Sequence, residues 1–276
     1  MSLRSLVVGS AAVVALGCAR EPAPVASAPQ QLTITANDFA YVLPATPIRA
    51  GLTRMTLVNN GQELHHVQLL HLADGKTTAD LAAALGPDGA TPDWAVPAGG
   101  PNGALPGSEA NATLILEPGE YALLCRIPSA DGVSHLAKGM ILGMQVLPAD
   151  GPAAPLPAGD IQMGLFDYGF SMTPPPNAGT HTFVVTNQAS QPHEVVLVRL
   201  EPGATMEPWK DWLVNGMQGP PPGVPFGGLV DLAPGQVQNF TADLPPGNYG
   251  LICFVPDAAD GQPHLFHGMM SSFTVS

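Results

Sequence analysis

The sequence predicts an all-β protein of two tandem Greek-key β-sandwich domains, each with a short helical insertion. Short stretches of alternating apolar and polar residues, separated by turn residues, are typical of sandwich strands. Gly and Pro number 31 each among 276 residues, which indicates many loops without reaching a disordered composition. Four residues also recur in the same order 128 to 129 positions later: His65, Cys125, His135 and Met140 return as His193, Cys253, His264 and Met269. This duplication predicts two domains, each large enough to bury a core.

The elements of the first repeat follow from its periodicity. Alternation predicts strands at residues 32–36, 54–59, 65–72, 111–116, 119–125 and 138–147. Residues 77–85 are predicted as a short helix with Thr77 or Thr78 as its N-cap. The Gly/Pro-rich residues 86–110, which include Trp94, are predicted as a loop.

The second repeat follows the first. Asp167-Tyr168 matches Asp38-Phe39, Asn187 matches Asn59, and a helix at 206–215 stands where the first helix stood. The predicted organisation is a first domain at 31–148, a semi-stiff Pro/Ala-rich linker at 149–159 and a second domain at 160–276.

The N-terminus has the pattern of a targeting segment. Arg4 precedes an apolar run at 6–16 that is too short to span a bilayer, so residues 1–18 are predicted to be a signal peptide. The Gly17-Cys18 ending resembles a bacterial lipoprotein signal, in which Cys18 would carry the lipid and residues 19–30 would be a tether. An ordinary secretory signal is the alternative. Either one predicts an exported protein, periplasmic or anchored to the membrane by lipid.

Charge excludes one class of partner. The formal net charge is -13, and the nine Lys and Arg residues are scattered. Nucleic-acid binding needs basic clusters, so it is not expected. A negative field favours a basic protein partner.

The repeated residue types predict a metal site in each repeat. Two His, one Cys and one Met are the ligands of a mononuclear type 1 copper site, with a trigonal His₂Cys plane and a weak axial thioether. The predicted ligands are His65, Cys125, His135 and Met140, and then His193, Cys253, His264 and Met269. A Cys125–Cys253 disulfide is the alternative, because an exported protein normally pairs its cysteines.

Some neighbouring residues compete for these roles. His66 follows His65, but only His193 stands at the matching place in the second repeat, which favours His65. Met270 follows Met269, and the five-residue spacing from the second His favours Met269. The remaining histidines, which lack a counterpart in the other repeat, are interpreted as structural or surface residues: His71, His181 and His267.

The motifs together resemble the cupredoxins, over nearly the whole mature chain. Residues 59–67, 119–125 and 135–140 look like the plastocyanin segments that carry its first His, its Cys, and its second His and Met. Two features depart from the family. The Cys-to-His loops have nine and ten intervening residues, and His66 and Glu194 stand where plastocyanin and azurin have an Asn that ties the ligand loops together.

The resemblance implies one-electron transfer by two coppers, one per domain. The expected partner is a small redox protein such as a c-type cytochrome. Exposed edges of His135 and His264 are the expected electron port, and the expected docking patch consists of Leu136, Leu265 and Phe266.

Two other functions stay open. A nitrite reductase or multicopper oxidase needs further His ligands, but Leu124 and Ile252 precede the cysteines and the chain has no His-x-His pair. Copper delivery or storage could use the same ligands, although delivery sites are usually open or rich in Met. Electron transfer is preferred, and no enzymatic activity is expected.

Overall fold

The computed structural model describes residues 28–85, 90–149, 151 and 153–276. The predicted signal peptide with Cys18, and most of the predicted tether, lie outside these residues. In the described ranges no helix is long and apolar enough to cross a membrane. The chain is mostly β, so the predicted fold class is confirmed.

Nine strands and one helix form the first half of the described chain. In chain order they are β1 (Gln30–Asn37), β2 (Ala40–Val42), β3 (Ile48–Arg49), β4 (Gly51–Asn59), β5 (Gln68–Leu72), α1 (Thr78–Ala84), β6 (Ala95–Pro97), β7 (Glu109–Leu116), β8 (Gly119–Leu124) and β9 (Ile141–Leu147). One sheet has the order β2-β1-β4-β7, and the facing sheet has the order β3-β9-β8-β5-β6.

The second half repeats this plan. Its elements are β10 (Ile161–Phe166), β11 (Gly169–Thr173), β12 (Gly179–Asn187), β13 (His193–Leu200), α2 (Pro208–Val214), β14 (Val224–Leu232), β15 (Val237–Leu244), β16 (Gly247–Ile252), a 3-10 helix (His264–His267) and β17 (Met270–Val275). The sheets are β11-β10-β12-β15 and β14-β13-β16-β17. In each half the first strand pairs in parallel with a later strand of nine residues, β1 with β4 and β10 with β12.

The two sandwiches share a sheet. Edge strands β7 and β15 meet at the pair Thr113 and Asn239, which joins eight strands into one sheet. The Asn111 amide reinforces this seam: its Nδ2 donates to the Thr241 carbonyl at 2.8 Å, and its Oδ1 accepts from the Thr241 amide at 2.9 Å. The domains are therefore in direct contact along a sheet edge.

The strand period of two directs the apolar residues into the sandwich. Leu32, Ile34 and Ala36 on β1 are no more than 1% exposed, while their neighbours in the strand face outward. Complete burial of a Leu or Ile side chain contributes about 2 kcal/mol. One continuous apolar cluster reaches Cys125, Met140, Cys253 and Met269 at the end of both sandwiches.

The two helices begin at recognisable signals. Thr77 caps α1, as predicted: its hydroxyl accepts from the Asp80 amide, and the Asp80 carboxylate accepts from the Thr77 amide. Helix α2 has Pro208 in its first turn and buries Trp209, which is 2% exposed. Helices of seven residues are marginal alone, so packing of Leu81 and Trp209 stabilises them.

Three predicted boundaries were wrong. The strand predicted at 65–72 begins at Gln68, because the amide of His65 instead pairs with the carbonyl of Ala104 in an isolated bridge. The strand predicted at 138–147 begins at Ile141, since a tight turn occupies the preceding residues. The loop predicted at 86–110 contains the edge strand β6, which ends in Pro97, and the start of β7.

Candidate metal centres

Each sandwich closes at one end around a buried cluster of two His and one Cys. The clusters are His65, Cys125 and His135 in the first domain, and His193, Cys253 and His264 in the second. Within each cluster the candidate ligand atoms all lie within 4.8 Å of one another. The structure thus brings together six of the eight residues predicted to be ligands, three in each domain.

The nitrogen and sulfur atoms point toward one another. Cys125 Sγ lies 3.4 Å from His135 Nδ1, and Cys253 Sγ lies 3.3 Å from His264 Nδ1 and 3.8 Å from His193 Nδ1. The two Nδ1 atoms of the second cluster are 2.9 Å apart. His65 Nδ1 is buried without a hydrogen-bond partner. Nitrogen and sulfur donor atoms that converge in a buried site are a ligand set suited to a borderline-soft cation.

The backbone places both methionines beside the cysteines. The Met140 amide donates to the His135 carbonyl at 2.8 Å, and the Met140 carbonyl accepts from the Cys125 amide at 3.3 Å. Met269 repeats this arrangement at 3.0 and 3.2 Å. Both side chains are fully buried. Met270 begins the next strand and is partly exposed, so the structure favours Met269 at this position.

A carboxylate holds the first His of each cluster. Asp38 Oδ1 lies 3.1 Å from His65 Nε2, and Asp167 Oδ1 lies 3.0 Å from His193 Nε2. A carboxylate accepts a hydrogen bond from Nε2–H, which leaves Nδ1 unprotonated, with its lone pair facing the cluster. Burial lowers the pKa of both imidazoles below its ordinary value. Sequence reasoning matched Asp38 with Asp167 but assigned them no role.

The second His of each cluster also has a carboxylate partner, from an unrelated place in the chain. His135 Nε2 lies 2.8 Å from Glu63 Oε2. His264 Nε2 lies 3.6 Å from Asp257 Oδ2, which is longer than a hydrogen bond, and that nitrogen has no other partner. Glu63 precedes the first His, whereas Asp257 follows the Cys, so repeat matching could not reveal them as a pair.

The expected exposed port is wrong for both domains. The side chains of His135 and His264 are 0% exposed, because aromatic rings and carboxylates cover their Nε2 edges. Leu265 is also fully buried, and Leu136 and Phe266 are only partly exposed. Leu265 therefore cannot belong to the predicted apolar docking patch, and Leu136 and Phe266 expose only part of their side chains there.

His66 and Glu194 tie the ligand loops together. His66 Nε2 accepts from the Arg126 amide at 3.1 Å, and Glu194 Oε1 accepts from the Phe254 amide at 2.9 Å. Each bond joins the residue after the first His to the residue after the Cys. Burial lowers the pKa of His66 to about 3, so it is a neutral acceptor at pH 7. The structure thus places His65 in the cluster and His66 beside it, bonded to the Cys loop.

Cys125 and Cys253 are free, and each lies in its own cluster. The predicted alternative, a Cys125–Cys253 disulfide, is therefore excluded in this structure. Burial raises the pKa of the Cys125 thiol to about 12 and raises that of Cys253 as well. The Glu194 amide donates to Cys253 Sγ at 3.5 Å. A thiolate here needs a bound cation to compensate its charge.

The other histidines have partners away from these clusters. His71 stacks on Tyr121 with ring centroids 4.5 Å apart, and His181 Nδ1 lies 2.5 Å from Asp160. His267 is exposed and lies 3.3 Å from Asp260. These placements agree with the structural or surface roles predicted for them.

A buried polar network crosses the boundary between the domains. Arg126 Nε donates to Gln68 Oε1 at 2.9 Å, and Gln68 Nε2 donates to Asp231 Oδ2. Nearby, Asn102 Nδ2 donates to Glu194 Oε2 at 3.3 Å. Because Arg126 and Glu194 also hold the two ligand loops, each cluster is braced by the opposite domain.

We expect Asp231→Asn to change how stability depends on pH. Burial, opposed by the Gln68 bond and the Arg126 charge, raises the pKa of Asp231 from 3.8 to about 6. Between these values the unfolded chain loses the proton first, so ionisation of Asp231 destabilises the fold as pH rises. Across this range the ionisation of Asp231 lowers the free energy of unfolding of the wild type by about 3 kcal/mol. The free energy of unfolding of the variant, relative to wild type, should rise by up to this amount between pH 4 and 7.

The measurement is urea unfolding across that pH range. Glu194 and Arg126 are the other charged groups facing Asp231. Loss of the Asp231 charge also removes one of the causes that raise the pKa of Glu194, which changes stability in the same direction. Asp243→Asn, at an exposed position on β15, is the control and should run parallel to wild type. A parallel curve for Asp231→Asn as well would contradict the prediction.

The fold and the two clusters together define the structural class of this protein. Two sandwiches, each with a buried His-Cys-His cluster at one end, make this a tandem protein of cupredoxin-like fold. No protein-family model and no curated protein matches the chain.

The chain is similar to several solved structures. An auracyanin from Roseiflexus castenholzii matches at 20% identity over 42% of this chain and 94% of its own, with a TM-score of 0.29. The blue copper oxidase of Nitrosomonas europaea matches at 13% over 89% and 85%, with a TM-score of 0.28. A copper-containing nitrite reductase from Thermus scotoductus matches at 12% over 90% and 62%, with a TM-score of 0.25. Because these TM-scores are low, the assignment of the fold class is based on the strand order and the clusters of this chain itself.

Proposed function

We propose that the protein is an exported electron-transfer protein that holds one type 1 copper in each domain. The observation that carries the proposal is the duplicated buried cluster, in which two imidazoles and one thiol converge. The orphaned Nδ1 of His65 and the close pair of Nδ1 atoms in the second cluster fit a bound copper ion. Copper in a His₂Cys site supplies reversible one-electron chemistry.

The ligands in this proposal are the eight residues predicted from the sequence. His65, Cys125, His135 and Met140 would hold one copper, and His193, Cys253, His264 and Met269 would hold the other. Asp38 and Asp167 orient the first imidazoles, and His66 and Glu194 keep the loops in register. Oriented ligands restrict rearrangement when the charge of the site changes, which suits an electron carrier.

The surroundings of the clusters favour a carrier over an enzyme. The residues before the cysteines, Leu124 and Ile252, are fully buried and apolar. In the part of the chain that the structure describes, the histidines outside the clusters are bonded or stacked elsewhere. The further group of possible metal ligands, Asp257, Asp260 and His267, contains a single imidazole, and two of its three residues are exposed, so it is a poor match for a second copper centre beside the Cys strands. The complete burial of the clustered His and Cys also disfavours rapid handover of copper in delivery.

The remaining parts of the proposal concern location and partner. Gly17-Cys18 supports attachment of a lipid at Cys18 and export across the inner membrane. The net charge of -13 supports a basic partner, a small redox protein such as a c-type cytochrome.

Stopped-flow mixing of copper-loaded protein with a basic c-type cytochrome tests the function. We expect rapid exchange of up to two electrons per chain, which slows as salt rises. With artificial donors, reduction of nitrite or dioxygen should stay below about one turnover per second, at the low end of enzymatic rates. The Cys125→Ser, Cys253→Ser double variant is the control and should exchange no electrons. Sustained turnover, or transfer of copper to a chelator within seconds, would point instead to an enzyme or a delivery protein.

A further inference from the structure

Electrons must reach clusters whose imidazoles have no exposed surface. In the first domain the Phe39 ring lies edge-on to His135, with centroids 5.3 Å apart and an interplanar angle of 69°. In the second domain Tyr168 lies against His264 at 5.7 Å and 65°. The same contact therefore occurs twice, between an aromatic ring and the second His of each cluster.

These rings belong to two-residue turns, Asp38-Phe39 in the first domain and Asp167-Tyr168 in the second. We call them the aromatic turns. The first joins β1 to β2 beyond the pair Asn37 and Ala40, and the second joins β10 to β11 beyond the pair Phe166 and Gly169. In each turn the Asp holds the first His of the cluster, and the aromatic residue covers the second. One short turn thus contacts both imidazoles.

The backbone at Phe39 and Tyr168 is strained. Both residues have φ of 65°, a left-handed conformation that suits Gly or Asn and is unusual for a bulky aromatic residue. Such a conformation costs of order 1 kcal/mol or more, and strained residues cluster at functional sites. Its occurrence at the same place in both domains indicates that the ring itself has a use.

The rings also reach the surface. Tyr168 is 37% exposed and Phe39 is half-buried, so each aromatic residue contacts an imidazole and is also partly exposed to solvent. Carboxylates lie near them: Asp38 and Glu63 are about one-third exposed beside Phe39, and Asp167 is 40% exposed beside Tyr168. The Lys138 ammonium also lies over the Phe39 ring, 4.7 Å from its centroid, but it pairs with Asp131 at 2.9 Å, so the charge around the ring stays negative. This acidic rim complements a basic protein surface.

We propose that Phe39 and Tyr168 are the contacts through which each cluster exchanges electrons with a basic one-electron redox protein. The inference depends on the proposed electron-transfer function. With copper bound, the partner would lose one electron and the Cu(II) ion held by the cluster would gain it, so the one-electron oxidation and reduction balance. No bond forms or breaks, no proton moves, and the aromatic rings remain in their own oxidation state.

The test replaces each ring with a saturated side chain that still covers the imidazole. Phe39→Leu is measured in the Cys253→Ser background, where only the first site binds copper. Tyr168→Leu is measured in the Cys125→Ser background, where only the second site does. Phe166→Leu is the matched control in the second of these backgrounds, because its ring is 42% exposed at the end of β10, next to the same turn.

The readout is the rate of electron exchange with a basic c-type cytochrome at low salt. We expect each Leu variant to be about tenfold slower or more, with copper content, visible spectrum and reduction potential unchanged. The conservative variants Phe39→Tyr and Tyr168→Phe should recover most of the rate, and Phe166→Leu should match its background.

Other outcomes separate this inference from the function on which it rests. Leu variants that exchange at the rate of their background would overturn the aromatic contacts and leave electron transfer intact. A slower rate accompanied by an altered spectrum or potential would assign the rings a structural role and also overturn the proposal. If the unmodified protein exchanges no electrons, the proposed function fails, and the aromatic contacts fail with it.

Discussion

Changing Cys253 to Ser is expected to remove one of two bound coppers and about half of the visible absorption. The strong colour of a type 1 site is charge transfer from the Cys thiolate to Cu(II), and a Ser hydroxyl does not supply it. Cys125→Ser should have the same effect on the first site, because the clusters are separate and similarly built. The double variant should be colourless.

Copper analysis and visible spectroscopy of the loaded protein provide the measurement. Wild type should approach two coppers per chain. Met270→Leu is the matched control, since Met270 adjoins the second site without the buried position of Met269. It should keep both coppers and full colour. A coloured double variant would show that the clusters are not type 1 sites. A wild-type protein that binds less than about half a copper per chain would show the same.

Changing Asn187 to Ala is expected to destabilise the second domain by about 3 kcal/mol, because it leaves buried backbone groups without partners. The Asn187 side chain is 1% exposed. Its Nδ2 donates to the carbonyls of Gln191 and Leu232 at 2.9 and 2.8 Å, and its Oδ1 accepts from the Ala189 amide at 3.0 Å. These bonds shape the loop that leads into His193.

Thermal unfolding and copper colour measure this effect. We expect Tm to fall by about 5–10 °C and the second site to lose colour, with the first site retained. Gln188→Ala, an exposed neighbour, should leave both unchanged. Asn59 makes the equivalent bonds in the first domain, so Asn59→Ala should affect the first site in the same way. An unchanged Tm for Asn187→Ala would contradict the role of these bonds.

Much of the fold could be predicted because its signals are local. The alternation in β1 and β4 follows from one buried face, and the Thr77 cap follows from the need to satisfy helix amides. Strands such as β2, β3 and β6 were missed, since segments of two or three residues are too short to show a period. Their pairing partners, which are distant in sequence, determine them.

The sequence by itself determined the residue types and the order of the two clusters. The spacing of His, Cys, His and Met occurs twice, and this repeat can be recognised in the sequence without any knowledge of how the side chains pack. It also favoured His65 over His66 and Met269 over Met270, and the structure places these residues accordingly. Whether these residues bind copper remains a prediction that the first experiment above tests.

Only the tertiary structure decided what surrounds the clusters. The pairing of Glu63 with His135 and the approach of Asp257 to His264 join residues whose separations in sequence differ, so comparison of the repeats could not find them. The covering of both second imidazoles by Phe39 and Tyr168 depends on how the turns fold over the cluster, and it reversed the expectation of an exposed port. The shared sheet and the Arg126–Gln68–Asp231 network lie where the surfaces of the two domains meet. Such contacts depend on the packing of residues that are distant in sequence, so the local pattern of apolar and polar residues does not predict them.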